Sequence, residues 1–268
     1  MIAAPKLPPH AERTIAQFLR AHVEQAGASG VVIGLSGGID SALTYQLSVA
    51  ALGAGRVTGV LSPDPGYPKE LLDETRRFAD GLGGPTVVHE IGEVESAYHR
   101  LFPKVEDRVT LGNLKARIRM TILYTEARER QALVVGTSNK SELLAGYYTK
   151  YGDGAADLLP LGDLYKTQLR ALAEKVRVPA AIRERPPTAG FWAGQTDEEE
   201  LGIRYDDLDR ILLGLEQLRT VAEIAEGGGW PLEMVERVAR RVADGRHKRR
   251  PPPIPKLGLR TVGLDWRD

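Results

Sequence analysis

A chain of 268 residues with 42% hydrophobic and 27% charged side chains has the composition of a soluble globular protein and the length of one large α/β domain. Lys and Arg together number 36, as do Asp and Glu, so no global field exists to draw nucleic acid or an acidic membrane surface. The absence of cysteine excludes disulfides, thiolate metal sites and cysteine nucleophiles together.

The first nine residues, Met-Ile-Ala-Ala-Pro-Lys-Leu-Pro-Pro, hold no apolar core ahead of a cleavage site. No run approaches the ~20 apolar residues of a membrane span, so a cytoplasmic protein is expected. Helical spacing predicts a helix over 11–25, followed by an apolar strand over 31–35, a glycine turn and a helix over 42–51. Further strands are predicted over 57–61, 86–91 and 132–135, with helices over 69–82 and 114–130 between them. This alternation predicts a doubly wound α/β fold, a mostly parallel sheet with helices on both faces. From 144 to 164 no periodicity holds, and glycines at 146, 152, 154 and 162 mark a loop too long for a passive connector. Helices are predicted over 165–176, 205–215 and 231–243, with a turn at Gly227-Gly228-Gly229, and a basic cluster at His247-Lys248-Arg249-Arg250 precedes three prolines. The expected organisation is a single domain, 1–268, with an α/β nucleotide-binding core over about 11–190 and a helical region with a basic tail over about 197–268. No internal repeat is present.

The segment Ser36-Gly37-Gly38-Ile39-Asp40-Ser41 lies between the first strand and its helix. A strand that feeds a glycine turn and a helix start leaves backbone N–H groups and the positive end of a helix dipole free, which makes a phosphate seat. A Walker A loop needs a lysine after the glycines; here two hydroxyls, Ser36 and Ser41, and the carboxylate of Asp40 stand instead. Asp40 is suited to a magnesium ion, and the loop resembles the pyrophosphate loop of ATP pyrophosphatases, which cleave between the α and β phosphates. Two other readings stay open at this point. Gly34-Leu35-Ser36-Gly37-Gly38 also matches the Gly-x-Ser-x-Gly nucleophile elbow, and a glycine turn with no ligand fits the same residues.

A second signal, Gly136-Thr137-Ser138-Asn139-Lys140-Ser141-Glu142, follows the fourth predicted strand and shares its sheet edge with Asp40. Glu142 is the natural second oxygen ligand for magnesium, which takes few protein carboxylates; a plain helix-start role is the alternative. Lys115, Arg117 and Arg119 form either a ligand-facing or a solvated helix face. Asp153 and Asp157 can equally serve turns, and the basic cluster at 248–250 can equally be a generic polyanion patch. His10, His22, His89 and His99 show no metal-ligand spacing.

Taken in order, Gly-Leu-Ser-Gly-Gly-Ile-Asp-Ser at 34–41, Lys-Ala-Arg-Ile-Arg-Met at 115–120, Gly-Thr-Ser-Asn-Lys-Ser-Glu at 136–142 and Gly-Tyr-Tyr-Thr-Lys-Tyr-Gly-Asp-Gly at 146–154 resemble NAD synthetase. So do Pro-Leu-Gly-Asp-Leu-Tyr-Lys-Thr-Gln at 160–168, Pro-Pro-Thr-Ala at 186–189, Gly-Gln-Thr-Asp-Glu at 194–198 and His-Lys-Arg-Arg-Pro-Pro-Pro at 247–253. The resemblance implies an adenine nucleotide α-hydrolase-like fold, a homodimer, and ATP-dependent amidation of deamido-NAD through an adenylylated carboxylate. Carried over by position, Gly34, Leu35, Ser36, Gly37, Gly38, Ile39, Asp40, Ser41, Thr137, Lys166 and Thr188 would bind ATP, and Asp40 and Glu142 would hold Mg2+. Arg117, Lys150, Asp157, His247 and Lys248 would bind deamido-NAD, with Asp40, Lys166 and Asp153 in catalysis.

Attack of one anion on another needs charge neutralisation and alignment more than a base, which agrees with a site rich in cations. Glutamine-dependent relatives carry a glutaminase domain with a cysteine nucleophile, so free ammonia is the expected donor here. Asp153 is the expected carboxylate for helping ammonium lose a proton. Ala155 and Ala156 depart mildly from the family pattern, as does Ser138-Asn139-Lys140 where some members have Asp-His. A tRNA-modifying ATP pyrophosphatase and a nucleotide-binding regulator are the competing readings; the first wants a strongly basic surface, which this chain lacks.

Overall fold

The computed structural model describes residues 2–192, 194–262 and 265. Among them four strands, β1 (Val31–Gly34), β2 (Val57–Leu61), β3 (Thr86–Val88) and β4 (Leu133–Val135), form one parallel sheet in the order β3-β2-β1-β4. The helices are α1 (Ala11–Gln25), α2 (Ile39–Leu52), α3 (Lys69–Gly81), α4 (Gly92–Leu101), α5 (Arg108–Arg130), α6 (Lys140–Ala145) and α7 (Lys166–Lys175). They continue as α8 (Ala180–Arg183), α9 (Asp197–Leu201), α10 (Tyr205–Glu216), α11 (Val221–Gly228), α12 (Leu232–Asp244) and α13 (Arg246–Arg249).

Strand side chains alternate between faces, and here both faces are buried, which is why the strands read as unbroken apolar runs. Val31 and Ile33 of β1 with Val57 and Leu61 of β2 pack into one core with α1, α2, α3 and α7. Val32, Val60 and Val134 point the other way, against Ile122, Leu123 and Ala127 of α5. Each fully buried large aliphatic side chain, Leu43 or Leu61 for example, contributes about 1.5–3 kcal/mol.

The chain winds outward from β1 through β2 to β3 with α2 and α3 on one face. It then returns across the opposite face in α5 and sets β4 on the far side of β1. The winding therefore reverses between β1 and β4, and doubly wound sheets open their ligand crevice beyond the carboxyl ends at such a reversal. A bridge from Val135 to Leu158, with Gly136 N–H donating to Leu158 O at 2.9 Å, brings the loop after α6 alongside β4.

A second apolar cluster joins Ile2, Ala145, Tyr165, Leu208, Ile211, Leu212, Ile224 and Val235, so α10, α11 and α12 cover α6 and the start of α7. Buried Asp209 pins this layer to the sheet edge, since it accepts from Ser141 Oγ at 2.5 Å and from both Thr167 N–H and Thr167 Oγ at 2.8 Å.

The predicted fold class is the observed one, and α1 has the expected bounds. The strand expected to reach 91 stops at Val88, because Ile91 turns into the core ahead of α4. The helix expected from 114 begins at Arg108, where Asp107 caps it by accepting from Thr110 N–H at 2.8 Å. Of the segment expected to lack periodicity, 144–164, residues 146–164 hold no helix but 144–145 close α6, and the helix expected from 165 begins at Lys166; α4, α6, α8, α9, α11 and α13 are additions. Positions 263–264 and 266–268 of the expected basic tail lie outside the described residues.

Candidate active site

The turn after β1 is built for close backbone approach. Gly37 sits at φ +76°, and a Cβ there would meet Leu71 Cδ1 and Thr75 Oγ1 at 2.7 Å, so only glycine fits. The turn is held internally: Ser36 N–H donates to Ser41 Oγ at 3.2 Å, Ser41 Oγ donates to Gly38 O at 3.0 Å, and Gly38 N–H reaches Ser36 Oγ at 3.4 Å. From outside, Tyr67 OH donates to Ser36 O at 2.9 Å and the Arg185 guanidinium donates to Gly37 O. No side chain caps the α2 N-terminus at Gly38, which leaves first-turn N–H groups directed at the crevice. Leu35 and Ile39 turn their side chains into the core, so their part in any ligand contact is through the backbone.

The turn after β4 meets it across the reversal. Asn139 caps α6 with Glu142 in a reciprocal capping box, and the Asn139 amide reaches across to the first turn of α2. Asp40 Oδ1 accepts from Asn139 Nδ2 at 2.8 Å, and Asp40 Oδ2 accepts from Lys166 Nζ at 2.6 Å. The same ammonium lies 3.4 Å from Glu142 Oε1 and 5.3 Å from the centre of the Tyr205 ring. Lys166 is only 1% exposed, being at the buried first position of α7 with its N–H donating to Ser141 Oγ at 2.9 Å.

Carboxyl groups outnumber cations in this cluster. Asp197, 4% exposed, accepts from Tyr205 OH at 3.1 Å through Oδ2, while its buried Oδ1 has no hydrogen-bond partner among the described residues. Burial pushes the Glu142 carboxyl up to about 8, with Asp40 adding to the rise and Lys166 opposing it. For Lys166, burial alone would lower the pKa, but Asp40 and Glu142 together raise it above the ordinary lysine value. The two shifts therefore have different causes: two acids beside one ammonium make the lysine hold its proton, whereas burial, reinforced by Asp40, makes the glutamate favour one. Burial also raises the Asp197 carboxyl, with Lys166 opposing. Because Asp40 Oδ2 and Glu142 Oε1 already converge on one cation, they fit a divalent ion. Among the described residues no three His, Cys, Asp or Glu side chains gather as a metal cage, so the remaining ligands of a magnesium ion would be water or phosphate.

The other expected residues stand apart. Thr137 lies just beyond β4, and exposed Thr188 accepts from Gly190 N–H at 3.0 Å in the loop that Arg185 ties to Gly37. Exposed Arg117 donates to Lys150 O at 3.3 Å, and Lys150 Nζ lies over the Tyr151 ring at 5.1 Å. Asp157 accepts from Val134 N–H at 2.7 Å and Tyr124 OH at 3.3 Å, and Lys248 donates to Gly146 O at 2.6 Å and Tyr148 O at 2.7 Å. His247 is exposed beside Lys248 in a 380 Å³ groove that Arg237, Arg240 and Arg241 also line. Asp153 is exposed at the surface, yet its own loop crowds the carboxyl and that desolvation raises its pKa; Oδ1 accepts from Thr149 N–H at 2.8 Å. None of these shares a hydrogen bond with Asp40, Glu142 or Lys166. Lys115 and Arg119 are not a solvated face: they hold buried Asp64 at 2.9 and 3.4 Å beyond β2. Asn139, Asp197, Tyr205 and Asp209 carried no site expectation; the capping spacing from Asn139 to Glu142 was the one available signal.

The profile of the family described as NAD synthase matches residues 12–252. The chain belongs to the NAD synthase family. It is 43% identical over 250 residues to the NH(3)-dependent NAD(+) synthetase of Methanosarcina acetivorans, covering 92% of this chain and 98% of that one. It is 44% identical to the counterpart in Methanocaldococcus jannaschii, covering 91% and 95%. Among solved structures, the NH3-dependent NAD synthetase of Campylobacter jejuni, in complex with nitrate, superposes with a TM-score of 0.78 at 30% identity over 92% of this chain and 97% of that one. NMN synthetase from Francisella tularensis superposes with a TM-score of 0.82 at 32% identity over 92% and 98%. The parallel sheet flanked by helices and the likeness to these structures agree with the adenine nucleotide α-hydrolase-like fold that the resemblance implied.

Proposed function

We propose that this protein converts deamido-NAD to NAD. The pyridine carboxylate attacks the α phosphate of ATP and pyrophosphate leaves; ammonia then adds to the acyl adenylate and AMP leaves. The reading is carried by one juxtaposition: an uncapped helix N-terminus on a glycine turn, facing Asp40, Glu142 and Lys166 at the β1/β4 reversal of a NAD synthase family chain. Departing pyrophosphate meets the N–H groups of Ile39 to Ser41 and the Lys166 ammonium, so charge that develops on the leaving group is neutralised where it appears.

Asp40 and Glu142 would hold a magnesium ion, which when bound supplies further neutralisation of the phosphates. Thr137 and Thr188 are assigned to ATP, and Arg117, Lys150, Asp157, His247 and Lys248 to the dinucleotide. The standing apart of the last five from the Asp40 cluster accords with a homodimer in which the dinucleotide lies near the subunit boundary. Asp153, whose crowded carboxyl binds its proton more tightly than usual, is assigned to proton transfer from ammonium. The chain is read as one domain, a nucleotide-binding core over about 11–190 with a helical region beyond 197, and as cytoplasmic. No helix among the described residues is long and apolar enough to cross a membrane.

The test is incubation with ATP, Mg2+, ammonium and either deamido-NAD or its mononucleotide counterpart, the second arm prompted by likeness to an NMN synthetase. Expected products are NAD, AMP and pyrophosphate in equal amounts, from the dinucleotide and with ammonium but not glutamine. ADP and orthophosphate as products would overturn the reading.

A further inference from the structure

Asn139 is 0% exposed although it lies in a loop at the sheet edge, and every polar group it has on the crevice side is used. Its Oδ1 accepts from Glu142 N–H at 3.1 Å, its backbone N–H donates to Glu142 Oε2 at 3.3 Å, and its Nδ2 donates to Asp40 Oδ1 at 2.8 Å across 99 residues of chain. Capping α6 requires only the acceptor, and Ser, Thr or Asp cap about as well. The amide donor is surplus to the cap. It holds one oxygen of Asp40 while the backbone holds one oxygen of Glu142, and the remaining two, Asp40 Oδ2 and Glu142 Oε1, face the same ammonium at 2.6 and 3.4 Å.

We propose that Asn139 is a positioning residue that presets Asp40 and Glu142 as a pair of divalent-cation ligands. The proposal rests on the assignment of those carboxylates to magnesium. Asparagine suits the task because it offers an acceptor to the helix and a donor to the carboxylate without adding charge to a cluster that already holds several acids and one lysine. Partners of this kind, which fix the oxygens of ligating carboxylates, typically govern metal affinity by about 10–100-fold.

The test uses Asn139→Ser and Asn139→Thr in the full chain; both keep a helix cap, and neither hydroxyl extends as far as the amide that reaches Asp40. Mn2+ binding is titrated in the presence of ATP without deamido-NAD, by paramagnetic resonance or calorimetry. About 10–100-fold weaker Mn2+ binding is expected, together with an equal rise in the Mg2+ concentration for half-maximal rate, an unchanged KM for deamido-NAD, and a melting temperature near that of the parent. Parental Mn2+ affinity in either folded variant overturns the proposal and leaves Asn139 as a cap alone. Parent protein that binds Mn2+ with ATP but makes no NAD would instead count against the proposed reaction, so the two failures are separable.

Discussion

Replacing Glu142 by glutamine is expected to stabilise the unliganded protein while destroying activity. The folded carboxyl is pushed up to about 8 by burial and by Asp40, against 4.5 for the free side chain. A folded pKa raised above the unfolded one means that this group's stabilising contribution is complete below about pH 4.5 and is lost as pH rises through about 8. At pH 7 the folded carboxyl is still mostly protonated while the unfolded one is ionised, and over the roughly 2.5 units between 4.5 and pH 7, at about 1.4 kcal/mol per unit, holding that proton costs about 3 kcal/mol of stability. The attraction of Lys166 is already contained in that figure, because the shift is its net result. Glutamine mimics the protonated form and still accepts from Asn139 N–H, so it escapes the cost without loss of the capping box. For a chain of this length, about 3 kcal/mol corresponds to roughly 5 °C in Tm. Calorimetric melts of both proteins without ligands from pH 4.5 to 8 should show a gap that is absent at the acid end and opens as pH rises. A variant that melts below the parent, or a gap independent of pH, would refute the reasoning.

Gly37→Ala places a Cβ against Leu71 and Thr75 at a positive φ and should cost about 1–3 kcal/mol in urea melts, with pyrophosphate inhibition weakened at least tenfold; parental values for both would contradict the loop geometry. Asp209→Ala strands the donors of Ser141 and Thr167 in a buried layer and should cost about 3 kcal/mol or more, and a loss under about 1 kcal/mol would show that the layer relaxes freely. Asp153→Asn should flatten the acid limb of the amidation rate measured against pH at constant free ammonia, whereas an unaltered profile would remove Asp153 from proton transfer. Asp40→Ala should lower adenylylation by orders of magnitude in a protein that still folds but melts lower, because it removes the nearest carboxylate from the buried Lys166 ammonium; retained kinetics would sink the assignment of the metal pair.

The strands were legible because burial on both faces turns them into apolar runs, and α1 because one stripe of Ile15, Leu19 and Val23 faces the core. The helix Gly92–Leu101 was not read, although Val94, Ala97, Tyr98 and Leu101 recur at helical spacing; the stripe is short and none of it is buried. The early start of α5 was written in Asp107 and Thr110 as a cap, a signal weaker than the periodicity that begins later. At the site, Asp40 and Glu142 follow from their loops and sheet edge. Lys166 entered through resemblance, and its burial against two acids is a tertiary outcome. Asp197 lay in the motif at 194–198 with no role attached and Tyr205 had no local signature, because what makes them special is each other and a lysine from another helix.

The glycine turn and its carboxylate emerge early from the ribosome, but Glu142 and Asn139 follow the last strand, which must insert beside the first. Domains generally fold as units, and β1, β2 and β3 without β4 would present only half a crevice. With the opposing acid and amide still unmade, such half-built molecules have no complete centre with which to spend cellular ATP. The reversed winding thereby ties nucleotide cleavage to completion of the sheet.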